Sequence, residues 1–177
     1  MSQNSLHTAR LLLRPYSLGD VAALVRLAGA REVAATTLRI PHPYREQDGI
    51  DFVTSCQEKK GPRYAITTRD TGELCGGIGL EIEPAHHRAE LGYWIGVPYW
   101  GRGYATEAAV AVVKQGFDTL GLHRIYASHI AGNLASARVL QKVGMVHEGC
   151  LRSHNCKWEK FYDLECYGIL RTDRSSD

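Results

Sequence analysis

In ELGYWIGVPYWGRGYATEAA, residues 90–109, an apolar run passes through a turn holding two glycines and directly into a helical pattern. Gly101 and Gly103 lack a Cβ, so the backbone there can turn tightly and bring several N–H groups against a phosphate. The turn also opens a helix, whose first four amides have no intrahelical partner and whose macrodipole adds about half a positive charge. Together these suit a pyrophosphate without any lysine, and the segment predicts a diphosphate-bearing cofactor. Arg102 either reaches a phosphate or is solvated, and Glu107, just inside the helix, is explained by compensation of the dipole.

Two common phosphate motifs are excluded by inspection. No GxxxxGK[ST] occurs, and the residues about 20 positions beyond the glycine pair, near Gly121 and Arg124, include no acid to hold a ribose. The eight histidines make no metal site: His86 and His87 are adjacent, and His154-x-Cys156 has no second pair at structural zinc spacing. Five cysteines, an odd number without CxxC spacing, point to reduced thiols and a cytoplasmic setting. A net charge of +2 with no five-residue basic run gives no reason to expect nucleic acid as a partner. The longest run without Asp, Glu, Lys or Arg, residues 125–137, contains polar residues and falls short of the ~18 apolar residues of a membrane span. The opening MSQNSLHTAR has no apolar signal-peptide stretch, so no membrane partner is expected.

The elements that must position the glycine turn follow from periodicity. At 177 residues the chain suits one domain, residues 1–177, with residues 172–177 as a loose tail. Residues 11–14 read as a strand, and Ser17-x-x-Asp20 as a capping box opening a helix with Val21, Leu24, Val25 and Ala28 inward. A second helix follows Pro43. Residues 63–69 and 74–83 form a hairpin around Asp70-Thr71-Gly72-Glu73, and AELGYWIG is the next strand. The helix after Tyr104 puts Ala109, Val110, Val113 and Phe117 on one stripe and ends near Gly121; residues 124–130 return as a strand, parallel to the first. Asn133 leads a helix burying Val139, Leu140 and Val143 and stopping at Gly144, and strands over residues 146–152 and 161–170 close a mixed sheet, with residues 153–160 as a loop.

Several separated motifs resemble the GNAT superfamily of acetyl-CoA-dependent N-acetyltransferases, in the branch of the ribosomal-protein alanine N-acetyltransferases RimJ and RimL. They are TARLLLRPYSLGD (8–20), IPHPY (40–44), AELGYWIG (89–96), YWGRGYATEA (99–108), NLASARVLQKVGM (133–145), EGCLR (148–152) and FYDLECYGIL (161–170). One departure stands out: the family loop usually opens on Gln or Arg, where this chain has Trp100, although Gly103 and Ala105 match. The resemblance implies an α/β fold of mixed α+β type: a mostly antiparallel sheet, splayed at one parallel strand pair and flanked by about four helices. It implies acetyl-CoA as cosubstrate and no metal. Pantetheine would lie in the splay as a pseudo-strand on the backbone of Trp94, Ile95, Gly96 and Val97, with the pyrophosphate on Gly101, Arg102, Gly103, Tyr104, Ala105 and Thr106. Asn133 would reach the pantetheine arm, or serve only as a helix cap.

The chemistry implied is attack of a neutral primary amine on a thioester within a ternary complex. An α-amine with a pKa near 7.8 costs only about 1 kcal/mol to deprotonate at pH 7, against roughly 4.6 for a lysine, so a weak, water-relayed base suffices for an N-terminus. By resemblance Glu90 would be that base, and Ser136 the proton donor to the departing thiolate, with Tyr93 and Tyr104 as substitutes. A backbone N–H near Ile95 or Gly96 would stabilise the oxyanion. Tyr44, Tyr93 and Trp158 would border the amine, which is a peptide N-terminus or a small amine. Small-molecule acetylation of an antibiotic or polyamine, or non-catalytic acyl-CoA binding, are the competing readings, and the sequence leaves monomer and homodimer open.

Overall fold

The structure, a computed structural model, describes residues 4–58 and 61–174. In chain order the elements are β1 (Leu6–His7), β2 (Leu11–Pro15), α1 (Val21–Ala28), α2 (Arg31–Thr36), α3 (Glu46–Glu58), β3 (Arg63–Thr68), β4 (Leu74–Glu83), β5 (Arg88–Ile95), α4 (Tyr104–Asp118), β6 (Arg124–Ile130), α5 (Leu134–Lys142), β7 (Val146–Lys157) and β8 (Lys160–Leu170). The strands form one sheet in the order β1-β2-β3-β4-β5-β6-β8-β7, antiparallel except for β5 and β6. This is the mixed α/β sheet expected, with α2 as an additional helix.

Each sheet face carries its own core. Beneath α4 and α5 lie Leu11, Leu13, Tyr64, Ile66, Leu80, Phe117, Ile125 and Leu140, whereas Tyr16, Leu24, Leu27, Val53, Ala65 and Leu74 pack under α1 and α3. β3 feeds both faces, so the hydrophobic run of residues 64–66 is buried throughout rather than alternating. The capping box at Ser17 forms: the Asp20 carboxylate accepts the Ser17 N–H at 2.8 Å and a pair of Arg14 guanidinium hydrogen bonds at 2.7 and 2.8 Å.

The decisive departure from a regular sheet is at β5. It pairs with β4 along its whole length, to Gly76↔Ile95, but with β6 only at Arg88↔Arg124, Ala89↔Ile125 and Glu90↔Tyr126. Beyond Glu90 the parallel strands part, because β6 continues along β8 through Ile130↔Leu164. A wedge-shaped gap with an unpaired backbone edge results.

Four sequence expectations are corrected. Val110 is 49% exposed, and Ala108, Val112 and Gly116 complete the buried stripe of α4 instead. The loop expected at residues 153–160 is the tip of a long hairpin, with β7 running to Lys157 and turning at Trp158 and Glu159, both at positive φ (50° and 60°) as a two-residue primed turn requires. Polar residues disguised it, since β7 is an edge strand that buries little. Val139 and Val143 are half-buried beside a fully buried Leu140. The tail is held through Arg174: the Arg171 guanidinium donates to the carbonyls of Phe117 and Leu122, and Arg174 pairs with Asp118. Residues 175–177 lie outside the described chain.

Candidate active site

The glycine turn expected to cradle phosphate starts where β5 ends. A single 3₁₀ turn over Val97–Tyr99 leads to Gly101 and Gly103, both left-handed at φ 75° and 79°, a conformation costing a residue with a Cβ about 1–2 kcal/mol. A Cβ on Gly101 would meet nothing within 4 Å, so that side of the loop is open. Gly103 caps α4, and the helix's first bond runs from the Glu107 N–H to the Gly103 carbonyl at 3.1 Å. The amides of Tyr104, Ala105 and Thr106 are thereby left without a helical acceptor.

Glu107 does more than offset a dipole. Its carboxylate accepts from the Thr8 hydroxyl (2.6 Å), the Arg10 N–H (2.8 Å) and Arg10 Nε (2.7 Å). Arg10 in turn donates through Nη1 to the Arg102 carbonyl at 3.0 Å and lies over the Tyr104 ring at 4.9 Å. The β1–β2 turn thus clamps the loop with the Arg102 carbonyl turned away from its amides. The Arg102 guanidinium itself rests over Tyr99 at 5.5 Å.

Strand register decides which backbone groups face the gap. The Gly96 N–H donates to the Cys75 carbonyl at 2.9 Å, and the Trp94 carbonyl is likewise turned toward β4, beside Gly76. By alternation Tyr93 and Ile95 present their amides to the open side. Gly96 and Trp94 are therefore not backbone partners for a group in the gap, and Gly96 is not an oxyanion donor; Val97 already belongs to the 3₁₀ turn, where its carbonyl accepts from Trp100 N–H. The side chain of Trp100 explains its own presence: Nε1 donates to the Ile95 carbonyl at 2.7 Å, tying the loop to the strand end.

Across the gap, Asn133 caps α5 by accepting the Ser136 N–H at 3.1 Å. Ser136 Oγ lies 2.6 Å from the Tyr93 hydroxyl. Burial pushes the Tyr93 pKa up to about 12, so this phenol holds its proton at neutral pH. Tyr93 is held by Ser136 on the α5 side and also lines the cavity next to the gap.

On the other face of the sheet a cavity of about 410 Å³ opens toward the gap, bordered by Tyr16, Tyr44, Phe52, Trp94, Glu90 and Ser136 among others. Glu90 is paired with neither Arg88 nor His87. Its partner is Arg39, at 2.6 Å, which also bridges to Glu81 at 2.6 Å. Gly77, Gly79 and Gly92 share one face of β4 and β5 at the cavity floor: a Cβ on Gly92 would meet nothing within 4 Å, whereas at Gly77 it would lie 2.0 Å from the Tyr16 hydroxyl and at Gly79 2.8 Å from the Pro62 carbonyl, so those two admit close packing instead. The roof, residues 36–41, is latched to the hairpin tip, where Lys157 Nζ donates to the carbonyls of Ala34 (2.5 Å), Thr37 and Ile40 (3.1 Å). Trp158 holds the Lys157 ammonium over its ring at 5.1 Å and stands edge-on to His42 with ring centroids 6.1 Å apart, and it is not among the residues lining the cavity.

Arg10 and Arg39 escaped sequence reasoning because each acts on segments far along the chain; only the CGGIGL run of β4 was a readable signal, as glycines within a strand mark a close approach of other groups.

A family model described as an acetyltransferase (GNAT) domain matches residues 10–146, and the chain belongs to that family. It is 42% identical over 175 residues to the N-acetyltransferase YoaA of Bacillus subtilis (strain 168), covering 94% of this chain and 96% of that one. A solved GNAT-family acetyltransferase from Bacillus anthracis superposes with a TM-score of 0.86 at 28% identity, over 94% of this chain and 98% of the other. The ribosomal-protein-serine acetyltransferase of Escherichia coli (strain K12) is 29% identical over 55% of each chain. The protein is an acetyl-CoA-dependent N-acetyltransferase. Its residues fit that cosubstrate: left-handed glycines open to solvent precede a helix N-terminus, and an unpaired strand edge borders the gap.

Proposed function

We propose that the protein acetylates a primary amine by direct attack in a ternary complex, with the thioester in the β5–β6 gap and the amine arriving through the glycine-floored cavity. The observation that carries this reading is the meeting of two spaces at Glu90, the last residue paired to β6 and a lining residue of the cavity. Glu90 takes the proton the attacking nitrogen sheds, directly or through water, while Arg39 orients the carboxylate. The Ile95 N–H faces the carbonyl oxygen as it gains charge. Ser136 passes a proton from Tyr93, its partner at 2.6 Å, to the departing thiolate, and solvent returns the proton to Tyr93. Asn133 holds the helix turn that presents Ser136.

Between a protein N-terminus and a small amine, the latched roof over the cavity favours the small amine. Glu90→Gln should slow transfer chiefly below about pH 8, where an α-amine or similar acceptor is largely protonated, and leave acetyl-CoA affinity intact. An unchanged pH–rate profile would remove Glu90 as the base.

A further inference from the structure

Where the chain leaves β5, the carbonyls of Ile95, Gly96 and Val97 each find a donor. The Gly96 carbonyl accepts the Tyr99 N–H at 2.9 Å and the Val97 carbonyl the Trp100 N–H at 3.2 Å, backbone bonds that any residue but proline supplies at those positions. The Ile95 carbonyl differs, because it accepts the Trp100 indole Nε1–H at 2.7 Å and so depends on the side chain. Packing does not account for a tryptophan here: Trp100 is 46% exposed and belongs to neither core among the described residues.

The consequence falls on one peptide group. The Ile95–Gly96 unit is held at both ends, its carbonyl by the indole and its N–H by the Cys75 carbonyl at 2.9 Å. Hydrogen bonds in such a chain polarise and strengthen one another. Peptide groups alternate along a strand, so the Ile95 carbonyl lies on the side of the gap, where the indole closes the unpaired edge and leaves the Tyr93 peptide groups and the Ile95 N–H to a ligand. The glycine turn begins at the next residue, Gly101.

Trp100 therefore joins the last open position of the strand edge to the start of the turn. Acetyl-CoA carries its thioester and its pyrophosphate on one chain of limited length, so a protein that binds both ends must hold the two sites at a matching spacing. A misplacement of about 1 Å at one end costs up to about 100-fold in rate. Resting on the acetyl-transfer reading above, we infer that Trp100 is a positioning residue, whose indole N–H sets the spacing between the phosphate turn and the strand edge that receives the thioester arm.

The test uses the full-length protein and measures by calorimetry its affinity for acetyl-CoA and for ADP, which probes the diphosphate end alone. Acetyl transfer to tyramine, spermidine and a peptide beginning with serine is followed by mass spectrometry, since exposed Cys150 and Cys156 would confound a thiol reagent. Trp100→Phe keeps a ring and removes the donor. It should weaken acetyl-CoA about 10-fold, leave ADP affinity within about 2-fold, and lower kcat for the best amine about 10-fold. Trp100→Gln, whose amide nitrogen stands as many bonds from Cβ as the indole nitrogen, should restore both acetyl-CoA affinity and kcat to within about 3-fold of the native protein. An unchanged ratio of acetyl-CoA to ADP affinity in Trp100→Phe, or a Gln variant no better than the Phe variant, overturns the positioning role and leaves acetyl transfer standing. Tight acetyl-CoA binding by the native protein with no acetylation of any amine refutes the acetyl-transfer reading instead, and the affinity ratio then decides the role of Trp100.

Discussion

Replacing Lys157 by Met keeps an apolar stem and removes the ammonium that joins the hairpin tip to the cavity roof. In the native protein its three N–H groups meet three carbonyls, on Ala34, Thr37 and Ile40. Hydrogen bonds to a charged group contribute about 1.5–3 kcal/mol each. Burial, however, lowers the Lys157 pKa, and in the variant water can reach the carbonyls of partly exposed Thr37 and Ile40 while buried Ala34 keeps the Thr37 N–H, so about 1 kcal/mol per bond is the better figure. The latch then contributes about 3 kcal/mol, which favours the closed roof by roughly 150-fold. Lys157→Met should accelerate amide hydrogen exchange across residues 37–45 by up to about 100-fold and lower Tm by about 6–12 °C if the whole loss appears in global stability. KM for the amine should rise while acetyl-CoA affinity holds, because the glycine loop lies beyond the end of β5 from the latch. Arg at this position should not rescue, since a planar fork cannot present three donors to three converging carbonyls. Unchanged exchange at residues 37–45 together with a Tm within 1 °C of the native protein would refute the latch.

Three further outcomes are expected. Gly103→Asp should abolish acetyl-CoA binding by calorimetry, because φ of 79° disfavours a Cβ and the new side chain would meet Arg10, drawing it from the Arg102 carbonyl it holds; native affinity would disprove the cradle. Arg10→Met should weaken acetyl-CoA binding about 10-fold by freeing the Arg102 carbonyl, yet shift Tm little, since Arg10 is 51% exposed and such pairs contribute under about 1 kcal/mol; an unchanged Kd would end this role. Asp20→Asn tests a pH dependence. Burial alone would raise the Asp20 pKa, but the Arg14 guanidinium and Ser17 overcome it and hold it below the usual carboxylate range. Its stabilisation is therefore present above the unfolded value of about 3.9 and lost as pH falls through the folded one. Urea melts should show the variant about 2 kcal/mol weaker at pH 7, with the gap closing in acid; a gap constant with pH would refute the assignment.

What the residues alone settled was local. Left-handed turns at Gly101 and Gly103, the helix they open, the capping box at Ser17 and Asp20, and the stop at Gly144 each depend on backbone preferences within a few residues, so their types and spacing reported them directly. The strands of AELGYWIG and CGGIGL were legible for the same reason. Periodicity failed where an element's surroundings choose the answer: Val110 fits the apolar stripe of α4 but faces solvent, and β7, polar along its length, is a strand because β8 supplies its hydrogen bonds.

The site belongs to the tertiary structure. Which amides face the gap is a matter of register between β4 and β5, where Gly96 is turned to Cys75 and Ile95 to the opening. Glu90 acquires Arg39, 51 positions away, and the cavity roof acquires Lys157, some 120 positions away, only when the sheet brings them together. Glycines in β4 and β5 come to border a chamber only because α1 and α3 pack over that face, with Tyr16, Tyr44 and Phe52 among the lining side chains. Contacts between distant segments are fixed by packing and strand pairing, which no local spacing encodes; the glycine turn and the helix it opens were therefore readable in the chain, and the pairings that close the chamber were not.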